Sequence, residues 1–275
     1  MTSNYLHGTS PEEQQRLGLM NRLLNENSLA ELRLAPGERV LDVGSGLGQL
    51  SRAMARQVGA SGSVVGIERS SEQFATARSL AKSAGEASSV DFRAGSAEYL
   101  PLEDTEWGTF DVAHARFLLE HVPDPVAVVR QMVRALKPGG RIVLEDDPHD
   151  TLRLSPESLG FSRLWSAYIR TYDRLGADGL IGHRLVSILV EAGAEPVRNS
   201  WPFFGACSGQ PELLAGYVEN LAVILEGVRA PILALGEFDD EYFAGCLHAF
   251  RAWAKRRDAA LWYAVSCAEG RRTSG

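Results

Sequence analysis

The segment Val40-Leu41-Asp42-Val43-Gly44-Ser45-Gly46-Leu47-Gly48 holds residue types that let a backbone close on a ligand. An apolar, β-branched run delivers Asp42, and glycines at every second position then permit a tight turn and a close approach to a nucleotide-like group. A dinucleotide fingerprint needs G-x-G-x-x-G; counted from Gly44, its last slot holds Gln49, and Gly48 comes one residue early. Asp42 beside the loop would repel a pyrophosphate and suits a ligand that carries positive charge. The next apolar run ends at Glu68, whose carboxylate can accept from both hydroxyls of a ribose. A ribose, a positive charge and no pyrophosphate together describe S-adenosyl-L-methionine.

Further candidates lie downstream. His121 and His149 are expected just past the fourth and fifth strands, where a base with a pKa near working pH could take a proton from an acceptor. Phe161, Trp165, Tyr168 and Tyr172 recur at spacings of four, three and four, which puts them on one helical face. That face is either a stripe packed in a core or the ceiling of an aromatic substrate pocket. The run Glu145-Asp146-Asp147 is acidic, but no asparagine follows before Asn199, so it is read as strand-end polarity or pocket lining and no metal is expected. After the fourth strand the chain reads His114-Ala115-Arg116-Phe117, with neither an Asn/Asp-Pro-Pro-aromatic element nor a Pro-Cys nucleophile. Methylation of amino-purines, glutamine or cytosine C5 by those routes is therefore not expected.

These residues need a frame, and the periodicity supplies one. Short apolar runs at Val40–Val43, Val64–Ile67, Val90–Ala94, Phe110–Ala115 and Arg141–Glu145 alternate with helical stretches, the βαβ rhythm of a parallel sheet. Helix starts are marked by Ser10-Pro11, by Ser70 with Gln73 three residues on, and by Asp124-Pro125. The first helix should run from Pro11 to about Leu24. After Asp150 the pattern turns helical: from Ser155-Pro156 to Leu175, Ile181 to Glu191, Pro211 to Glu226 and Asp239 to Arg257. Strands are expected near Pro196 to Phe203 and Leu261 to Ser266, with a loose tail from Gly270.

Five features in order carry a resemblance to class I S-adenosylmethionine-dependent methyltransferases: the glycine loop, Glu68, Gly95 to Pro101, Phe110 to Pro125, and Leu136-Lys137-Pro138-Gly139-Gly140. The similarity spans about residues 36 to 147 and is greatest to the ubiquinone and menaquinone biosynthesis type. It implies an α/β fold, a Rossmann-like, seven-stranded, mostly parallel sheet in the order 3-2-1-4-5-7-6 with helical cap insertions. One methyltransferase domain over 1–275 is implied, with a helical lid at 1–35, a cofactor half at 36–150, and substrate-cap helices with the last two strands at 151–270. Asp42, Gly44, Ser45, Gly46, Gly48, Glu68, Arg69, Ser96, Ala97 and Arg116 would bind cofactor, Ser96 standing where the family usually has an aspartate for adenine. Tyr5 and Arg16 of the lid would meet its methionine carboxylate. Phe117, Trp165, Tyr168 and Tyr172 would bind the acceptor, a small lipophilic or aromatic metabolite of secondary metabolism methylated on oxygen, nitrogen or carbon. The alternatives are a protein that binds the cofactor without transferring methyl, as a regulator or cyclisation scaffold, and a nucleotide-dependent oxidoreductase.

Bulk properties narrow the classes. With 275 residues, 45% of them hydrophobic, the chain can bury a full core. A net charge of −7 gives no reason to expect nucleic acid. Three widely spaced cysteines suggest neither a disulfide framework nor a metal site, and no apolar stretch is long enough for a membrane span. A cytoplasmic monomer or homodimer is expected.

Overall fold

Side chains that point alternately to either side of each strand sort the apolar residues onto two faces of one large sheet, both of them covered. In β1 (Arg39–Val43), Leu41 and Val43 point to one face and Val40 to the other. The computed structural model describes residues 24–273. They include a helix over 24–32 (α1), then β1, α2 (Gln49–Val58), β2 (Ser63–Glu68), α3 (Ser71–Ser83), β3 (Val90–Ala94), β4 (Phe110–Arg116), α4 (Pro125–Ala135) and β5 (Leu136–Asp146). There follow β6 (Arg153–Ser155), α5 (Phe161–Leu175), α6 (Leu185–Glu191), β7 (Ala194–Ser200), β8 (Phe203–Cys207), α7 (Pro211–Gly227), α8 (Arg229–Leu233), α9 (Asp240–Trp253), β9 (Ala260–Ala264) and β10 (Ser266–Arg272).

The large sheet has seven strands in the order β3-β2-β1-β4-β5-β10-β7, with β10 antiparallel to both neighbours and the other pairs parallel. With β7 as its sixth strand and β10 as its seventh, this is the 3-2-1-4-5-7-6 order. One face packs on α4 and α6 through Val128, Val129, Met132, Leu185, Ile188 and Leu189. The other packs on α1 and α2 through Leu32, Leu50, Met54 and Val58. The starts of α3 and α4 are set by their caps: Ser70 Oγ accepts the Gln73 amide at 3.3 Å, and Asp124 accepts the Ala127 amide at 2.9 Å ahead of Pro125. Helix α1 is fastened by arginines: Arg141 donates to the Leu32 carbonyl at 2.8 Å, and Arg198 of β7 donates to the Glu31 carbonyl and pairs with its carboxylate.

The residues divide into two compact units. The sheet unit comprises Asn25–Asp147, Ile181–Trp201 and the chain from Ser266. The second unit, built from Pro148–Leu180 and Pro202–Val265, holds α5, α7, α8, α9 and a three-stranded antiparallel sheet in the order β6-β9-β8.

Several expected boundaries are corrected. The helix expected from Ser155-Pro156 starts at Phe161, because Ser155 pairs with Ala260 in the small sheet. The strand expected over Pro196 to Phe203 is two: β7 ends at Ser200, and Phe203 opens β8 beyond Trp201-Pro202, where proline lacks a ladder donor. The expected Leu261–Ser266 strand is split: β9 of the small sheet ends at Ala264 and Ser266 opens β10, which runs on through Gly270 to Arg272 of the expected loose tail. The fifth strand begins at Leu136, earlier than expected, and its pairing with β4 shifts register before Arg141. The expected Pro11–Leu24 helix lies outside the described residues.

Candidate active site

The glycine loop joins β1 to α2 and is built on β2. Gly44 and Ser45 both donate their amides to the Ile67 carbonyl at 2.9 Å, and the Gly46 amide donates to Glu68 Oε2 at 2.9 Å. Gly48 enters α2 at φ 68°, and a Cβ there would stand 2.4 Å from the Phe92 ring, so both the backbone conformation and the space require glycine. Glu68 is buried at 7% exposure, and its second oxygen accepts the Ser70 amide at 2.7 Å. Two side-chain atoms beside this loop, Ser45 Oγ and Gln73 Oε1, are buried without a hydrogen-bond partner, and Gln73 Oε1 lies 3.7 Å from where a Gly46 Cβ would stand. Buried polar atoms are seldom left unsatisfied. A ribose-bearing ligand on Glu68 fits this cradle, since it brings the donors and acceptors those atoms lack.

Asp42, at the end of β1, is 3% exposed, accepts from Ser51 Oγ at 2.5 Å and bonds His114 Nδ1 at 2.9 Å. The other imidazole nitrogen bonds Glu145 Oε1 at 3.1 Å, Glu145 Oε2 accepts from Ser28 Oγ at 2.8 Å, and Ser28 accepts from Arg116 at 2.9 Å. Arg116 also donates to Asn25 at 2.8 Å and lies 5.5 Å from the Phe117 ring centre. Burial alone would push the His114 pKa down; its bonds to the two carboxylates outweigh that and raise it to about 9.

Strand β4 ends at Arg116, and the next residue, Phe117, turns the chain at φ 52°, a conformation an aromatic residue seldom adopts. The Phe117 amide donates to the Glu145 carbonyl at 2.9 Å, and the turn sets Leu118 against Gly44. His121 follows, partly exposed, with Nε2 3.4 Å from Glu120. Beneath it Asp146, 1% exposed, accepts the Leu119 amide at 2.9 Å. Burial first, then the Glu120 and Asp147 charges, hold the Asp146 carboxyl well above the usual carboxylate range. The acidic run is therefore mostly interior: Glu145 and Asp146 are buried rather than lining a pocket. Among the described residues no group of three or more His, Cys, Asp or Glu is arranged to hold a metal ion.

At the sheet's β3 end, Ser96 Oγ accepts the Glu98 amide at 3.2 Å, closing a small turn, and Ala97 packs on the core. Arg69, next to Glu68, is exposed. Tyr5 and Arg16 lie outside the described residues. In the second unit, Trp165, Tyr168 and Tyr172 are all buried around His149. The His149 carbonyl accepts from Trp165 Nε1 at 2.6 Å, its Nε2 bonds the Tyr172 hydroxyl at 3.1 Å, and Tyr172 bonds Tyr168 at 2.7 Å. Sequence reasoning did not assign Ser28, Asn25, Gln73 or Leu118 to the site: Ser28 and Asn25 stand in no motif, Gln73 reads only as part of a helix start, and Leu118 only as part of the Phe110 to Pro125 segment. His114 carries no motif signal beyond the run His114-Ala115-Arg116-Phe117.

A seven-stranded, mostly parallel sheet with a glycine loop after β1, an acidic residue ending β2 and an antiparallel β10 between β5 and β7 is the Rossmann-like class I methyltransferase fold. Residues 34–159 match the family model described as a methyltransferase domain. Over residues 34–159 the chain is therefore similar to methyltransferase domains, on the fold just described. It is 37% identical over 156 residues to a ubiquinone biosynthesis O-methyltransferase from Xanthomonas oryzae, covering 57% of this chain and 60% of that one. The chain spans 46 to 60% of the length of the curated relatives it matches, among them a protein from a Streptomyces fradiae transposon. In fold it resembles a methyltransferase-like protein from Bacillus halodurans (TM-score 0.60, 19% identity, 91% of this chain and 99% of that one). It also resembles a [4+2]-cyclase (TM-score 0.56, 23% identity, 92% and 81%).

Proposed function

We propose that the protein transfers the methyl group of S-adenosyl-L-methionine to an oxygen, nitrogen or carbon of a small lipophilic or aromatic metabolite. The observation that carries this reading is the cradle between Gly46 and Glu68, with Ser45 Oγ and Gln73 Oε1 buried and unpartnered beside it. When bound there, the cofactor supplies an activated methyl on a sulfonium. Glu68 would hold the ribose hydroxyls, the loop amides and Ser45 would flank the same end, and Ser96 and Ala97 would border the adenine. Asp42 and Arg116 act by holding the loop and the end of β4, and Tyr5 and Arg16 remain candidates for the carboxylate. Alignment of donor and acceptor supplies much of the rate in such reactions, on the order of 7 to 11 kcal/mol in well-oriented systems.

Within the sheet unit, Phe117 is a proposed acceptor contact and His121 a proposed base; within the second unit, Trp165, Tyr168 and Tyr172 are proposed acceptor contacts and His149 the alternative base. The methyltransferase match and the family of the Xanthomonas relative support a small-molecule acceptor. No helix among the described residues is long and apolar enough to cross a membrane. Widely spaced thiols fit the reducing cytoplasm we propose as its compartment. The test is calorimetry with S-adenosylmethionine, S-adenosylhomocysteine and NAD, followed by incubation with methyl-labelled cofactor and fractionated cell extract. Binding of both sulfur nucleosides and a labelled small molecule are expected. Tight NAD binding with no heat from either sulfur nucleoside overturns the reading; binding without label transfer favours a cofactor-dependent scaffold.

A further inference from the structure

The face of the sheet that packs on α1 and α2 is apolar in its lower layer, where Val40 of β1 stands beside Val112 of β4. One pleat higher, toward the strands' carboxyl ends, the same face carries Asp42 beside His114, and Glu145 of β5, one pleat beyond Val143 that stands opposite His114, bonds the imidazole from above. All three are at least 96% buried, and bonds of 2.9 and 3.1 Å join them through the imidazole. Putting three ionisable groups onto such a face is costly, and an apolar trio of similar volume would serve stability as well or better. A structural role alone does not account for them, so their position against the glycine loop has to.

We propose that His114 is a positioning residue of the cofactor site, locking the Asp42 carboxylate against Ser51 so that the strand and helix flanking the glycine loop keep one geometry for the ligand's charged end. The inference rests on the cofactor reading above. Asp42 stands on β1, which enters the loop; its Oδ2 takes Ser51, in the first turn of α2, which leaves the loop, and its Oδ1 takes His114 of β4. Without the imidazole, Oδ1 loses its partner and the carboxylate is free to turn about χ2. The far nitrogen ties the same trio to α1 through Glu145 and Ser28. Glu68 lies on β2, on the other side of β1 from His114, and reaches the loop through Gly46 without using this trio. The ribose end of a ligand should therefore feel His114 little, and the cationic amino-acid end strongly. The charge state agrees, since a group with two carboxylate partners is the imidazolium at neutral pH.

The experiment is calorimetry of S-adenosylhomocysteine and of adenosine, which lacks the amino-acid end, on the full chain and on His114→Leu, His114→Asn and Glu145→Gln, with melting temperature followed in parallel. His114→Leu and His114→Asn should weaken S-adenosylhomocysteine tenfold or more and adenosine less than twofold. Glu145→Gln, which keeps an acceptor for the imidazole, should lower the melting temperature while leaving both affinities within about threefold. A uniform loss for both ligands, or an unchanged S-adenosylhomocysteine affinity in folded His114 variants, overturns the inference. If neither His114 variant folds, the imidazole resonances of the unaltered protein decide. Both nitrogens protonated at pH 7.5, with a shift on adding S-adenosylhomocysteine but not adenosine, support the proposal, and a neutral or unresponsive ring rejects it. If the unaltered chain binds no S-adenosylhomocysteine, the cofactor reading itself fails, which is a separate result.

Discussion

Glu68 already satisfies two backbone donors, Gly46 and Ser70, and so shapes the loop that it would share with a ribose. Glu68→Ala removes a charged acceptor from both, and hydrogen bonds to charged groups contribute roughly 1.5 to 3 kcal/mol each. The expected result is S-adenosylhomocysteine binding weaker by about 10- to 100-fold in protein that still folds, read by calorimetry; Arg69→Ala, an exposed neighbour, should change it far less. Stability should depend on pH in two windows. His114 is raised to about 9 and faces Asp42 from β1 and Glu145 from β5, with the Cys267 thiol opposite Glu145 on β10. Its contribution is complete below its unfolded value near 6.5 and is lost as pH rises through about 9. Glu106 runs the other way: Arg93 above all, with the Glu103 amide and Arg39, holds it down to about 2, so its contribution is present above about 4.5 and lost as pH falls toward 2. Melting temperature should therefore fall on both flanks, and His114→Leu should flatten the alkaline one.

At the scale of elements, the loop and its helix are the most sharply specified part of the chain. Gly48→Ala places a methyl against Phe92 in a left-handed backbone position, and overpacking of this kind costs about 1 to 3 kcal/mol. A lower melting temperature together with weaker S-adenosylhomocysteine binding is expected, because the loop shifts with the helix. For α5, Trp165→Ala should cost on the order of 3 to 5 kcal/mol, since the ring is buried against Phe161 and His149 and its indole donates to the His149 carbonyl. A melting curve shows this; a loss of acceptor use at unchanged stability would instead place the ring in a pocket. The elements that could be read from sequence were those with local signals: the glycine loop, the Ser70 and Asp124 caps, and the apolar runs of β1 to β4. Strand β10 was not legible, because Ser266-Cys267-Ala268-Glu269-Gly270-Arg271-Arg272 has little strand character and is held in place by partners on both sides. The trio Asp42, His114, Glu145 was hidden for a related reason: only strand register brings residues so distant in the chain together on one face.

For the molecule as a whole, ligand binding and folding are linked. S-adenosylhomocysteine at a hundred times its Kd should add about 2.7 kcal/mol to stability and raise the melting temperature by several degrees, and NAD at the same concentration should not. A thermal shift with NAD alone would count against the cofactor assignment. Methyl transfer should also survive a chelator, in keeping with a site whose acidic residues are buried or paired; activity lost with chelator and restored by magnesium would show the opposite. The order of the strands has a different kind of consequence. Among the described residues, strand β7 joins the large sheet only through β10, and between them the chain builds α7, α8, α9 and two strands of another sheet. On a translating ribosome β7 therefore emerges long before the only strand it pairs with, and its edge stays open to any passing extended segment until β10 arrives. Chaperone demand during synthesis, and sensitivity to any trimming or tagging that disturbs residues 266–272, are built into the strand order itself.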